Sequence, residues 1–297
     1  MRIVEFAGRP NNAELNCGPF RVVVTLDVGP RILSFSRDGG ESPLRVYEKH
    51  EGLIGGDEYR SYGGHRFWIA PEIAGRTTAP DNHAVEMSED GEWTHFMAPV
   101  DAAGMQKRLS IRGIENGIEI IHRVQLQRED LFHVAPWGVT VMKPGGYCVW
   151  PLPTPKQGTG ELLPTSSLVL WRYTDLCDPR LRFVNGFGEL HNADAGPIKV
   201  GMPLEEGWAA YQWQGQSFLK TFDAERYDRV EGTSLGVDQG ANFEVYTRSD
   251  MLEVESLGRG KHLKVGEALS HTERWTLGPE KAAEELRTMA QALKSQP

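Results

Sequence analysis

The stretch SYGGHRFWIAPE, residues 61–72, gathers groups that could do chemistry: an imidazole, a guanidinium, an indole and a carboxylate close to two glycines. If it is a strand, alternation turns His65, Phe67 and Ile69 to one face and Arg66, Trp68 and Ala70 to the other. Gly63 and Gly64 permit a bulge or a close backbone approach, by which sheets re-aim a side chain beside a site. Such a set suits sugar recognition, with an indole against the C–H face of a pyranose and Arg66 and His65 hydrogen-bonding its hydroxyls. Neighbours on a regular strand point opposite ways, so both reach one ligand only if the strand ends or bulges between them. The alternative is a twisted strand with an ordinary buried Trp.

A second constellation lies in NFEVYTRSDMLEVESLG, residues 242–258. Alternation puts Met251, Glu253 and Glu255 on one face and Leu252 and Val254 on the other. Two carboxylates beside apolar neighbours push one pKa upward, which suits proton transfer; on a wet face both are merely solvated. His122 shares a face with Ile118, Ile120, Val124 and Leu126 and reads as a hydrogen-bonded core residue. His133 shares a face with Ala135 and Trp137, where it could line a cavity. His271 and Glu273 have the spacing of a metal half-site, but with no HExxH motif or third ligand they read as an exposed edge. In WRYTDLCDPRLRF, Arg172, Asp175, Asp178, Arg180 and Arg182 surround a turn signal, as a substrate-contacting loop or a salt-bridged corner. No phosphate-binding loop and no GxSxG nucleophile motif occurs.

These residues need a frame. Short alternating or β-branched runs, separated by Gly, Pro, Asn and Asp, extend to about residue 277. FRVVVTLD and PRILSFS flank Gly29-Pro30 as a hairpin or corner would. Many strands without intervening helices predict a large antiparallel sandwich, because parallel units need helical crossovers. Only the tail reads as a helix, about 279–294, with Pro279 at a first helical position and Ala282, Leu286, Met289 and Leu293 at helical spacing. The connections at 151–166 and 223–241 read as rim loops of one domain spanning 1–297.

Composition excludes several classes. The 32 Lys plus Arg against 41 Asp plus Glu, without a basic run, argue against a nucleic-acid or anionic membrane surface and for a small ligand. Cys17, Cys148 and Cys177 are too scattered for a disulfide framework or a CxxC metal pair. With no signal-like or membrane-spanning apolar run, the expected location is cytoplasmic.

The motifs also carry a resemblance. DVGPRILSF resembles an early strand pair of the aldose 1-epimerases (mutarotases), and YGGHRFWIAPE is similar to a glycine-bearing strand of the hexose-phosphate mutarotases. MLEVESLG resembles the strand carrying the general base in that superfamily, and LKVGEALSHTERWTL its closing strand. The whole chain looks like a mutarotase-like family with a YGGHR-W-APE signature. The resemblance implies an all-β, galactose-mutarotase-like supersandwich of two large antiparallel sheets with a C-terminal helix and a sugar cleft, without cofactor or metal. It implies Glu255 as the base, with Glu253 the alternative if the register is shifted. The segment corresponding to the family's catalytic-His strand, VAPWGVTV, contains no His. His65 is therefore the candidate acid, with His133 behind it. Tyr62 stands where the hexose-phosphate enzymes have Arg, so phosphosugar specificity is not implied.

The expected function is aldose 1-epimerase-like interconversion of sugar anomers by acid/base ring opening. Arg66, Trp68, Tyr62, Glu72, Arg172, Asp175, Trp137 and Glu253 are the candidate substrate contacts. Two alternatives stand: a non-catalytic carbohydrate-binding protein, and a lyase or hydrolase using the same cleft, since fold alone does not fix function. A hydrolase would need two carboxyls flanking one bond, and Glu72 with Glu255 is the pair to test.

Overall fold

The computed structural model describes residues 1–128, 133–154, 166–224 and 237–296. The expected connections at 151–166 and 223–241 lie largely outside these.

The chain opens with an antiparallel meander: β1 (Arg2–Phe6), β2 (Arg9–Cys17), β3 (Phe20–Thr25) and β4 (Arg31–Arg37). β5 (His65–Ala70) joins its edge, and a second meander follows: β6 (Glu86–Asp90), β7 (Trp93–Met97), β8 (Met105–Ile114) and β9 (Gly117–Leu126). The chain then shuttles between two sheets through β10 (His133–Met142), β11 (Tyr147–Pro151), β12 (Val169–Leu170), β13 (Leu181–Val184), β14 (Phe187–His191) and β15 (Ile198–Met202). It ends with β16 (Trp208–Trp213), β17 (Gln216–Phe222), β18 (Phe243–Arg248), β19 (Met251–Leu257), β20 (Lys261–His262), β21 (Ala268–Pro279) and α1 (Ala283–Lys294).

The first sheet runs β1-β2-β3-β4-β5-β10-β19-β18-β15-β12, with β20 beside β10; the second runs β13-β14-β11-β16-β17-β21-β9-β8-β7-β6. All their pairings are antiparallel among the described residues. Alternation seals the inner faces against each other. Phe67, Ile69, Val245, Leu252 and Val254 from the first sheet share a core with Leu109, Ile118, Ile120, Phe218 and Trp275 from the second. Each such side chain contributes about 1.5–3 kcal/mol of transfer free energy when fully buried. Trp275 anchors the centre, edge-on to Phe35 at 5.7 Å and Phe218 at 5.1 Å.

The helix starts later than the sequence suggested. Pairing of Gln216 with Pro279 carries β21 through the proline, so the helix begins at Ala283. Glu285 then reaches back to accept from the Ala282 N–H at 3.2 Å. Leu286, Ala290 and Leu293 pack on Trp208, Ala210 and Leu219 of the second sheet. No helix among the described residues is long and apolar enough to cross a membrane.

The glycine pair has one specific task. Gly63 and Gly64 have φ of +80° and +68°, and a Cβ on either would overlap the carbonyl oxygen of Arg45 or Ile32, respectively. They bring the loop against its neighbours, and a regular strand begins at His65. Gly64→Ala is therefore expected to lower unfolding free energy by roughly 3 kcal/mol or more in urea titrations. Gly91→Ala, also at positive φ but with open space around it, is expected to cost only about 1 kcal/mol. Equal costs would refute the steric account.

Candidate functional site

Five neighbouring strands of the first sheet, β5, β10, β19, β18 and β15, sort their side chains by face. Arg66, Val139, Glu255 and Glu244 lie in one cross-strand row, and Val141, Glu253, Tyr246 and Lys199 in another. With Trp68 opposite Trp137, these rows form the outer face, away from the core. His65, Thr140 and Val254 form the intervening row, which points between the sheets.

On the outer face, Lys199 Nζ lies 2.6 Å from Glu244 Oε2 and 2.9 Å from Glu255 Oε2. The indoles of Trp137 and Trp171 flank the ammonium at 4.9 and 4.7 Å. Trp137 Nε1 donates to the same Glu255 oxygen at 2.9 Å. Glu255 Oε1 is buried without a hydrogen-bond partner among the described residues. Beside this cage, Arg66 stacks 3.6 Å over Trp68, donates to Tyr59 Oη at 2.5 Å and lies 3.6 Å from Glu253 Oε1. Thr174 holds the Lys199 backbone, donating to its carbonyl and accepting its N–H, so the Trp171 loop packs against β15.

Burial and charge divide the carboxyls. Burial pushes Glu253 up to about 7; Arg66 pulls it down, and the Glu255 charge adds to the rise. Burial also holds Glu244 well above the carboxylate range, against the pull of Lys199 and with help from Glu255 and Asp238. Asp238, in a left-handed conformation at φ +48°, is raised by burial, while Lys199 opposes the rise. Burial works against the Lys199 charge, but Glu255 and Glu244 outweigh it and hold the ammonium above its usual range.

The structure thus gathers Glu255, Glu253, Arg66, Trp68 and Trp137. Glu72 is exposed just beyond β5, within electrostatic reach of Asp238. Arg172 and Asp175 are exposed on the Trp171 loop, where Asp175 accepts from the Cys177 N–H at 2.8 Å. Their neighbours Trp171 and Thr174 are the residues that pack at Lys199. Tyr62 does not join the group: it is buried between the guanidiniums of Arg9 and Arg31, at 4.9 and 5.2 Å, and donates to Asn82 Oδ1 at 2.8 Å. The sequence reading missed Lys199, Glu244 and Asp238.

His65 also requires correction. Because β5 is regular through Arg66, the two side chains take opposite faces, and His65 is fully buried between the sheets. His122 Nδ1 is 3.1 Å from the His271 carbonyl, which can only accept, so this nitrogen carries the proton. His122 Nε2 then accepts from His65 Nε2–H at 2.7 Å, and His65 Nδ1 accepts from Thr140 Oγ1–H at 2.9 Å. Both imidazoles are neutral, and His65 lies well below its usual range chiefly through burial. His65 cannot exchange protons with a ligand beside Glu255.

His271 and Glu273 are likewise interior, not an exposed edge. Ser256 Oγ donates to Glu273 Oε1 at 2.6 Å and accepts from His271 Nε2–H at 2.7 Å. Glu273 also receives Lys220 Nζ at 3.1 Å and Trp275 Nε1–H at 2.7 Å. Ligand atoms of His65, His122 and Glu273 lie within 4.8 Å of one another, a donor set of metal-binding type, yet each is already engaged in these bonds.

No known protein-family profile and no curated protein matches the sequence detectably. Solved structures do match the fold. A galactose mutarotase-like protein of Lactobacillus casei gives a TM-score of 0.56 at 8% identity over 90% of this chain and 100% of its own. A candidate aldose 1-epimerase of Escherichia coli K12 gives 0.58 at 9% identity, over 91% and 99%. A galactose mutarotase-like protein of Clostridium acetobutylicum gives 0.52 at 9% identity, over 90% and 95%. The chain has the galactose mutarotase-like fold.

The histidine assignments predict a pH response. Burial lowers His271 to about 3, against an unfolded value near 6.5. Between these values the unfolded chain binds the proton and the native one does not, so this contribution to stability is lost as pH falls. The stability advantage of wild type over His271→Gln should narrow by up to about 2 kcal/mol between pH 7.5 and 5 in urea titrations. A constant gap would contradict a neutral buried imidazole.

Proposed function

We propose that the outer-face cluster around Glu253 and Glu255 binds a monosaccharide and interconverts its anomers by acid/base ring opening. The observation that carries this reading is the divided pair on β19. Glu253 is pushed up to about 7, whereas Lys199 and Trp137 both donate to the carboxylate of Glu255. Glu255 takes the O1 proton as Glu253 gives its proton to the ring oxygen and the C1–O5 bond breaks. The aldehyde turns about C1–C2, and reclosure by the reverse transfers gives the other anomer. Trp68 and Trp137 supply apolar faces, Arg66 a hydroxyl donor, and the fold neighbours support a sugar ligand. Residues 253 and 255 sit roughly 6.6 Å apart along a strand, a spacing that accommodates one ring between their side chains.

A non-catalytic carbohydrate-binding protein is the second reading. It is favoured by the position of His65 in the core and by the two donors already held by Glu255 Oε2.

Anomer exchange of an aldose panel, followed by polarimetry and NMR saturation transfer, separates the two. Wild type should accelerate exchange, and Glu255→Gln should lose about 100-fold or more of that rate. The wild-type rate should fall as pH rises through about 7, where Glu253 gives up its proton, and Glu253→Gln should lack this limb. No acceleration on any sugar, with sugar-dependent thermal stabilisation kept by wild type and Glu255→Gln, would establish binding without turnover.

A further inference from the structure

The charges of the outer-face cluster point to a narrower ligand class, an inference that rests on the sugar reading above. Among the described residues, its two paired cations, Lys199 and Arg66, face four carboxyls, Glu244, Glu253, Glu255 and Asp238, while Arg248, itself paired with Asp250, acts on Glu253 from beside them. Both cations are already committed. Lys199 is shared by Glu244 and Glu255 between two indoles, and Arg66 is held by Glu253, the Tyr59 hydroxyl and the Trp68 ring. A phosphate or carboxylate entering here would have to break one of these pairs and approach the remaining acids.

The unused capacity is of the opposite sign. Glu255 Oε1 is fully buried and unpartnered among the described residues, an acceptor with two lone pairs in a site whose ammonium sits on the other oxygen. The Trp68–Trp137 pair, Tyr59, Tyr173 and Tyr246 surround the cluster, with Arg66 already over the Trp68 ring and Lys199 over that of Trp137. An unpaired carboxylate oxygen in surroundings that already hold two cations on aromatic rings favours an ammonium group.

We propose that this outer-face site selects a cationic sugar, an aldose carrying a protonated amine, over neutral and anionic sugars. The raised carboxyls agree with this. Burial raises Glu244, Glu253 and Asp238, which favours their protonated form over the charged one. A ligand ammonium favours the charged form, so its binding is expected to release protons to solvent.

Isothermal titration calorimetry at pH 7 in two buffers of different ionisation enthalpy reads both affinity and proton release. The probes are glucosamine, glucose, N-acetylglucosamine, glucose 6-phosphate and glucuronate. Glucosamine is expected to bind about tenfold or more tightly than glucose, with protons released and the advantage lost on N-acetylation. Asp238→Asn should reduce that advantage, read as the ratio of glucosamine to glucose affinity in the same variant. Glucose binding equal to or tighter than glucosamine, or preference for either anionic sugar, would overturn the charge selection while leaving the sugar reading intact. Binding of none of the five would overturn both.

Discussion

The Lys220–Glu273 ion pair fixes the centre of the molecule. Both groups are fully buried between the sheets, where an ion pair persists only if its remaining hydrogen-bonding capacity is used. It is used to tie strands together. Lys220 reaches from β17 to the carbonyls of Val254 at 3.1 Å and Gly138 at 3.4 Å, while Glu273 on β21 takes Ser256 and Trp275. Val254 and Ser256 flank Glu255, and Gly138 lies beside Trp137. Glu255 and Trp137 on the outer face are thus held from behind by the opposite sheet. Removing one partner of such a pair typically costs about 3–5 kcal/mol, because the other charge stays buried alone.

Period-two alternation then gives one sheet two different polar systems. Inward, the imidazoles of His65, His122 and His271 are neutral and their hydrogen bonds run in fixed directions. Outward, burial raises Glu244, Glu253 and Asp238, and Glu253 reaches about 7. The inner network has its partners within the protein and stabilises the fold. The outer set retains an oxygen on Glu255 without a hydrogen-bond partner among the described residues.

How much of this was legible depended on the range of the information. Alternation within one strand placed Glu253 with Glu255 and separated both from Val254. It had also set His65 opposite Arg66; the glycine pair suggested a bulge that the structure does not use there. Glu244 was within reach of the sequence, since the tight turn between Arg248 and Met251 fixes it across from Glu255. Lys199 was not, because it reaches the site only through the non-local pairing of β15 with β18. Its segment, IKVGM, gives no local sign of its partner. Tyr62 failed for a similar reason: its neighbours Arg9 and Arg31 come from distant strands.

The account turns on one proton. A carboxyl-directed NMR titration with 13C-labelled glutamate, with Glu253 assigned by the signal lost in Glu253→Gln, would measure it. The account predicts a midpoint near 7 for Glu253, well above an ordinary glutamate. A midpoint near 4.3 would leave Glu253 ionised throughout the neutral range and contradict its proposed role as proton donor.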